Sequence, residues 1–443
     1  MDIPALLLMV NFLLVVICIV GRTSGRNFVW LDPAWALIVG YFVSYCIKPA
    51  LFIFAPEMAS EYQYMVDPSA DASVPLLMAM LFFLSFMAGD FWAGTRSTAT
   101  HSKSAGGFGG LLMTPAFGLL ASVLIFVGFA GVLAFIQQVG WQGTTSELLL
   151  GRARNTLVAN FVGQGYYTTI IEFGPLGWCL YAVRLAILRE RGKRTPRLWI
   201  SCSLFLVAFL VPLMIGQRTG MVCVILSGLV VIDARKLRGR QTTIKPRTIA
   251  VVFTLVFLVA GPLGVALKNK DLNITNVMLT GFSAWDSYEF HLVLESHERP
   301  EFLYGRSYAE DVIYTYLPRL WFPDKPMRYG VVKVQDAVAP LLIDVSGTYP
   351  PGLVLEAYIN FGWLGLAIVP FAMGLVCNVI ATRIKQGSAY WTVLGIYIFV
   401  AIVGFRSLGG TLAMVMFQVM FLAIIERLLK LFHTRQIPQL SGA

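Results

Sequence analysis

The chain of 443 residues is 57% hydrophobic and only 13% charged, with a formal net charge of +10. A soluble domain is nearer a quarter charged and does not gather its apolar residues into long uninterrupted runs, so these proportions exclude an ordinary soluble enzyme. The positive excess does not call for nucleic acid, because it sits in short loops between apolar runs, where membrane topology puts it.

The first element, IPALLLMVNFLLVVICIV from Ile3 to Val20, contains no charge. It matches the ~20 apolar residues that a bilayer core takes per helix. It has neither a basic n-region nor a following small-residue cleavage pattern, so it reads as a first span and not as a signal peptide. Similar runs recur to the C-terminus. The pattern predicts about eleven spans, at 3–20, 34–54, 75–93, 111–138, 167–188, 198–216, 219–234, 248–267, 361–382, 389–405 and 409–429. The expected fold class is an all-α polytopic membrane protein with about 11 transmembrane helices and two long extracytoplasmic loops, the second partly helical. One integral membrane domain covers residues 1–443.

The connecting loops alternate in character. Residues 21–33 carry Arg22 and Arg26, whereas APEMASEYQYMVDPSAD, which follows the second run, has no Lys or Arg. TRSTATHSKS brings Arg96 and Lys103, and RERGKRTPR (189–197) and RKLRGRQTTIKPR (235–247) are strongly basic. TRIKQ (382–386) and the tail after Glu426 are weakly so. All the short basic loops fall on one side, which the positive-inside rule makes cytoplasmic, with the N-terminus outside and the C-terminus inside. Two long segments then face outward, 139–166 and 268–350. The second, roughly 80 residues, is far longer than an ordinary connector and is expected to be functional and partly helical.

Several chemistries are missing from the sequence. It has no phosphate-binding GxxxxGK[ST] loop, no GxSxG, HExxH or CxxC, and no Asp-x-Asp pair of the kind that holds a transferase metal. The six cysteines (Cys18, Cys46, Cys179, Cys202, Cys223, Cys377) all lie in predicted spans and read as packing residues, and the four histidines do not cluster. Neither a metal nor a cofactor is therefore expected. GGFGG at 106–110 reads as a connector, NIT at 273–275 fits a glycosylation acceptor pattern, and no internal repeat is visible.

The outward face instead collects arginines. GQRTG puts Arg218 in a tight outer turn and GFRSLGG puts Arg406 in another. GRARN carries Arg152 and Arg154, and YLPRLWFPDKPMRYG (316–330) carries Arg319, Lys325 and Arg328 among three prolines and several aromatics. A single arginine at an outer turn can simply snorkel to lipid headgroups. Several together, on the face where positive charge is usually sparse, suit an anionic membrane-held ligand, since guanidinium binds phosphate bidentately. Trp321 and Phe322 would anchor that loop at the interface. A second constellation, YPPGLVLEAYINFGWLG (349–365), places Glu356 at the mouth of a span, followed by Tyr358 and Asn360. Such a carboxylate is either an ion-pair partner for an arginine or a base and hydrogen-bond acceptor for a sugar hydroxyl. The aromatics form an interfacial belt or stack on sugar faces.

Together, GQRTG, LPRLWFPDKP and LEAYINFGWLG, in that order along the chain, resemble segments of the Wzy-type polymerases of O-antigen and exopolysaccharide repeat units. Arg152…Gly163, Arg154…Gly165 and Arg319…Gly330 fit the Arg-x10-Gly pattern of some members. The presumed basic histidine of the related O-antigen ligases has no motif match, and His291 and His297 are only loosely placed. The resemblance implies glycosyl transfer outside a bacterial inner membrane, in which a glycan on undecaprenyl pyrophosphate moves to a new lipid-linked repeat unit, without a metal. On this reading Arg218, Arg319 and Arg406 hold the pyrophosphates, with Arg152, Arg154, Lys325 and Arg328 as further anion contacts. Glu356 is the first choice of base, and His291 and Asp286 are reserves. The implied partners are the lipid-linked glycan, membrane lipids, and a chain-length regulator and flippase of the same pathway. A ligase-like transferase acting on a different acceptor, and a transporter of lipid-linked sugars, are the alternatives. The transporter would show inverted repeats and paired charges near mid-membrane.

Overall fold

The computed structural model describes residues 3–24, 31–54, 71–96, 107–139, 165–215, 218–232, 287–295, 301–317, 322–326, 328–338, 351–403 and 407–434. Among these residues every regular element is helical. Seven helices among the described residues are long and apolar enough to cross a membrane. They are Ile3–Arg22, Pro33–Phe54, Ser73–Thr95, Pro115–Gln138, Thr169–Glu190, Leu353–Lys385 and Leu408–Arg427. Leu198–Met214, Thr219–Ile232 and Ala389–Val403 coincide with three further expected spans but are shorter. The expected span at 248–267 lies outside the described residues. This is a helical, multi-pass membrane protein.

The chain divides into two units. One comprises Met1–Ala99, Ile244–Ala381 and Ile398–Ala413. Its first three helices are α1 (Ile3–Ser24), α2 (Pro33–Phe54) and α3 (Ser73–Arg96). Asp32 caps α2 by accepting the Ala34 N–H at 3.0 Å, with Pro33 at the first helical position, where its missing N–H costs nothing. Within α2 a π-turn spans Val43–Ile47. Pro49 has no N–H to offer the Tyr45 carbonyl and its ring crowds that oxygen, which accounts for the widened turn just ahead of it.

Several buried polar groups near the start of the chain find partners in this unit. Asn11 is fully buried, accepts the Tyr41 hydroxyl and donates to the Leu7 carbonyl at 2.8 Å. Arg22 pairs with Asp32 at 2.5 Å and also with Asp90. Asp90 in turn accepts from Asn378 Nδ2 at 3.2 Å. Helix α3 can lie this close to the later helix bearing Asn378 because Gly374 sits at the crossing. A Cβ there would come within 2.6 Å of the Asp90 nitrogen.

The other unit comprises Thr100–Thr243, Thr382–Tyr397 and Met414–Ala443. It contains α4 (Gly107–Leu112), α5 (Pro115–Val139), α6 (Gly165–Glu190), α7 (Leu198–Met214) and α8 (Arg218–Ile232). Helices α5 and α6 run antiparallel through a seam of small residues. A Cβ on Gly128 would lie 2.6 Å from the Gly174 α-carbon, and one on Gly177 would lie 2.7 Å from the Ala121 carbonyl. Lipid supplies no hydrophobic drive between helices, so close backbone approach and dispersion hold such a pair. Val132, Phe135, Ile171, Val211 and Met214 pack beside the seam. All six cysteines are free; five are buried as expected, while Cys202 is exposed.

The stretch from 268 to 350 contributes three short helices among its described residues, α9 (Ser287–Glu295), α10 (Arg306–Tyr314) and α11 (Val331–Val338). They precede α12 (Leu353–Lys385), α13 (Ala389–Val403) and α14 (Leu408–Thr434). The expected boundary of the span at 361 is replaced by a helix that begins at Leu353 and breaks at Gly362, whose φ of 63° and ψ of −150° are non-helical.

Candidate functional site

The break at Gly362 organises the first half of the site. It ends the helical segment 353–361 and leaves carbonyls without intrahelical partners. The Ile359 and Asn360 carbonyls accept instead from the Leu303 and Tyr304 N–H groups, at 3.0 and 2.9 Å. The Asn360 side chain completes this splice. Its Oδ1 accepts from the Gly305 N–H and the Ser307 hydroxyl, both at 3.1 Å, and its Nδ2 donates to the Glu356 carbonyl at 2.8 Å. Asn360 is fully buried and its hydrogen-bonding capacity is used within the protein. Tyr358 is also buried, its ring set edge-on against those of Phe302 and Trp363, each centroid 6.0 Å away. Its neighbours Phe302, Phe361, Trp363 and Tyr304 leave large apolar surface exposed.

Three carboxylates form the second half. Glu356 has no solvent exposure. It accepts the Leu408 N–H at 2.5 Å, the Gly409 N–H at 3.1 Å and the Ser407 hydroxyl at 3.3 Å, and so caps α14 from 52 residues away in the chain. The orphan N–H groups of the first turn of α14 thus give this buried carboxyl its hydrogen-bond partners.

Glu310 and Asp311, adjacent on α10, do the same for α11. Glu310 accepts from the Gly330 N–H at 3.1 Å, from Lys333 at 2.5 Å and from Arg306 at 2.8 Å. Asp311 accepts from the Val331 N–H at 3.1 Å. The Asp311 carboxylate is wedged against the α-carbons of Gly330 and Gly409, and a Cβ on either would run into it. Gly330 has the further requirement of a positive φ, 59°.

The electrostatics of the adjacent pair differ. Burial pushes the Asp311 carboxyl up to about 7; the Val331 N–H opposes this and the Glu310 charge adds to it. Burial alone would raise Glu310 as well, but the Lys333 ammonium, the Gly330 N–H and Arg306 outweigh it and hold Glu310 below the usual carboxylate range. Tyr308, on the same short helix, is raised well above an ordinary phenol by burial and by the nearby Glu356 charge.

The remaining residues singled out in the sequence fall into two groups. Arg328 is engaged with Asp336, its Nε donating at 2.7 Å and a second nitrogen pairing with the other carboxylate oxygen. Lys325 donates to the Leu317 carbonyl at 3.1 Å and lies over the Tyr329 ring, 4.8 Å from its centroid. Both cations therefore brace the proline-rich loop from within. His291 is almost wholly buried and faces Tyr45, with Nε2 3.4 Å from the hydroxyl. Burial lowers it to about 3, so it stays neutral and is a poor proton acceptor. Arg218 opens α8, but its side chain is outside the described residues, as are Arg152, Arg154, Asp286, Arg319, Arg406, His297 and Trp321.

Sequence reasoning passed over Glu310, Asp311 and Ser407. The available signal was an acidic pair on a short amphipathic segment, followed twenty residues later by a glycine. Among the described residues no group of three or more His, Cys, Asp or Glu side chains is arranged to hold a metal ion. No protein-family model matches the chain, and neither a curated protein nor a solved structure is similar to it.

Proposed function

We propose that the protein polymerises lipid-linked oligosaccharide repeat units on the outer side of a bacterial inner membrane, with about eleven spans and a cytoplasmic C-terminus. In this reading the bond between the sugar C1 and the pyrophosphate of undecaprenyl pyrophosphate breaks. A bond from C1 to an acceptor hydroxyl oxygen forms, and the hydroxyl proton passes to a base. The pyrophosphate leaves without protonation once Arg319 and Arg406 neutralise it, each worth about 2–4 kcal/mol in the transition state if well aimed.

The observation that carries the proposal is the Glu356 cap. It ties the LEAYINFGWLG stretch to the SLGG stretch that directly follows Arg406, while Asp311 touches the glycines at the ends of both RYG and SLG. Stretches far apart in the chain, each singled out for charge and glycine, thus converge on one carboxylate cluster. Glu356 serves here to hold the start of α14, directly after Arg406 in the sequence. Lys325 and Arg328 stiffen the loop that carries Arg319. With Glu356 capped and His291 buried, Asp286 takes the role of base, a modest one given the quality of the leaving group.

The test is the surface polysaccharide of a deletion strain complemented with the wild type or with Arg319→Ala or Arg406→Ala. Accumulation of single repeat units in the deletion strain, restored to a ladder by wild type and not by the variants, is expected. An intact polymer retained on its lipid carrier would identify a ligase instead, and loss of all outward-facing intermediates would identify a flippase.

A further inference from the structure

Arg184, near the end of α6, stands apart from Arg22, another cation that a span holds out of solvent. Arg22 has two carboxylate partners. Arg184 is only 9% exposed, its Nε is shut away from solvent with no hydrogen-bond partner, and among the described residues no carboxylate pairs with it. A guanidinium cannot shed its charge at any accessible pH, so a buried one needs an anion.

The surroundings are shaped for one. The guanidinium lies flat on the first turn of α5 at Gly118, where a Cβ would come within 2.9 Å of Cζ and 3.0 Å of Nη1. The same turn begins at Thr114, whose hydroxyl caps the Phe117 N–H at 3.3 Å. One residue earlier, Arg191 places Nη1 3.2 Å from the Met113 sulfur, a weak acceptor that leaves the charge unneutralised. Two guanidiniums that pair with no carboxylate among the described residues therefore flank the start of a 25-residue helix, where the dipole already favours negative charge. The chain leaves α6 at this end through Arg189, Arg191, Lys193, Arg194 and Arg197, a basic run of the kind that draws anionic headgroups.

We infer that Arg184, Arg191 and the first turn of α5 form a binding site for a phosphate group, supplied by an acidic phospholipid headgroup or by free phosphate. The site is in a different unit from the carboxylate cluster and does not depend on the reaction proposed above. Guanidinium suits a tetrahedral oxyanion better than an ammonium would, because two parallel N–H groups meet two oxygens.

The experiment uses the full chain in neutral detergent, titrated with phosphatidylglycerol, phosphatidylcholine or inorganic phosphate while thermal unfolding is followed by intrinsic fluorescence. Phosphatidylglycerol is expected to raise the midpoint saturably and phosphatidylcholine is not. Arg184→Gln should raise the half-saturating concentration by about tenfold, as the loss of one charge-assisted hydrogen-bond pair implies. Arg184→Lys should fall between the two. If Arg184→Gln does not fold, Arg191→Gln, which alters an exposed side chain, and Gly118→Ala, which pushes the guanidinium off the helix, carry the same expectation. A response to inorganic phosphate that competes with the lipid identifies a soluble anion as ligand; a response to phosphatidylglycerol alone identifies the headgroup. Equal half-saturation in the wild type and the variants, or no preference for either phosphate source over phosphatidylcholine, overturns the inference.

Discussion

The carboxylate of Glu356 receives the backbone N–H of Gly409 at 3.1 Å, joining the turn after Arg406 to the helical segment ahead of the break at Gly362. Its other oxygen receives Leu408, so the two oxygens together satisfy the first turn of α14. Glu356→Gln keeps the shape but turns an amide N–H toward one of these donors, and Glu356→Ala leaves both buried and unpaired. The loss should be about 1–3 kcal/mol for alanine and somewhat less for glutamine. Thermal unfolding in detergent measures it, and polymer yield should fall in step with the folded fraction. A Glu356→Gln protein of wild-type stability with no polymer would instead return Glu356 to the role of base.

Asp311 packs against two glycines from different stretches, so each glycine is held by a steric argument that can be tested in pairs. Gly409→Ala and Gly330→Ala should each destabilise by about 1–3 kcal/mol, Gly330→Ala more because alanine must also adopt a positive φ there. Combining Gly409→Ala with Asp311→Ala removes the obstructing carboxylate. The double variant should therefore lose less than the sum of the two single changes, by roughly 1 kcal/mol or more. Strict additivity in a double-mutant cycle would mean that the close contact carries no energy.

What the sequence disclosed and what it hid follow from the range of the forces involved. Spans such as Ile3–Arg22 and Ser73–Thr95 announce themselves because bilayer solvation acts on every residue of a contiguous run. The break at Gly362 was hidden, since YINFGWLG stays apolar through it and the compensating N–H groups come from Leu303 and Tyr304. Glu356 was conspicuous as a charge at a span mouth, but its partners lie 51 to 53 residues later and no local pattern points to them. Lys325 and Arg328 looked available for a ligand because Asp336 is on the next short helix and a carbonyl acceptor leaves no trace in composition. Asp90 shows the converse. As a lone acid near a span end it has no partner in its own stretch of sequence, and the fold gives it Arg22 and Asn378.

Stability should depend on pH through Asp311. Its folded value of about 7 lies above the ordinary aspartate value, so the folded state binds a proton that the unfolded state releases. The favourable contribution is complete below about pH 4 and is lost as pH rises through about 7, by at most roughly 4 kcal/mol. Glu310 runs the other way: its folded value is depressed, so its contribution is present above about pH 4.5 and constant through the neutral range. Between pH 5 and 8 the wild-type unfolding midpoint should therefore fall. Asp311→Asn should flatten that slope and exceed the wild type at pH 8. Parallel curves for the two proteins across this window would show that Asp311 does not titrate there.

Arg22, Asp32 and Asp90 form a group with one cation and two carboxylates, all largely buried. Removing the cation leaves two like charges facing each other in a poor dielectric, whereas removing one acid leaves a simple pair. Arg22→Ala should thus cost about 3–5 kcal/mol, seen as loss of folded protein from membranes, while Asp90→Asn should cost much less because Arg22 keeps Asp32 and Asn378 keeps the Asp90 carbonyl. The triple change Arg22→Met, Asp32→Asn, Asp90→Asn removes every charge together and should recover much of the loss of Arg22→Ala. Equal damage from the single acid and base changes would mean that the group acts through packing and not through charge. The recovery in the triple variant, read as detergent-extracted yield and unfolding midpoint, separates these two accounts, because a packing role would make three substitutions worse than one.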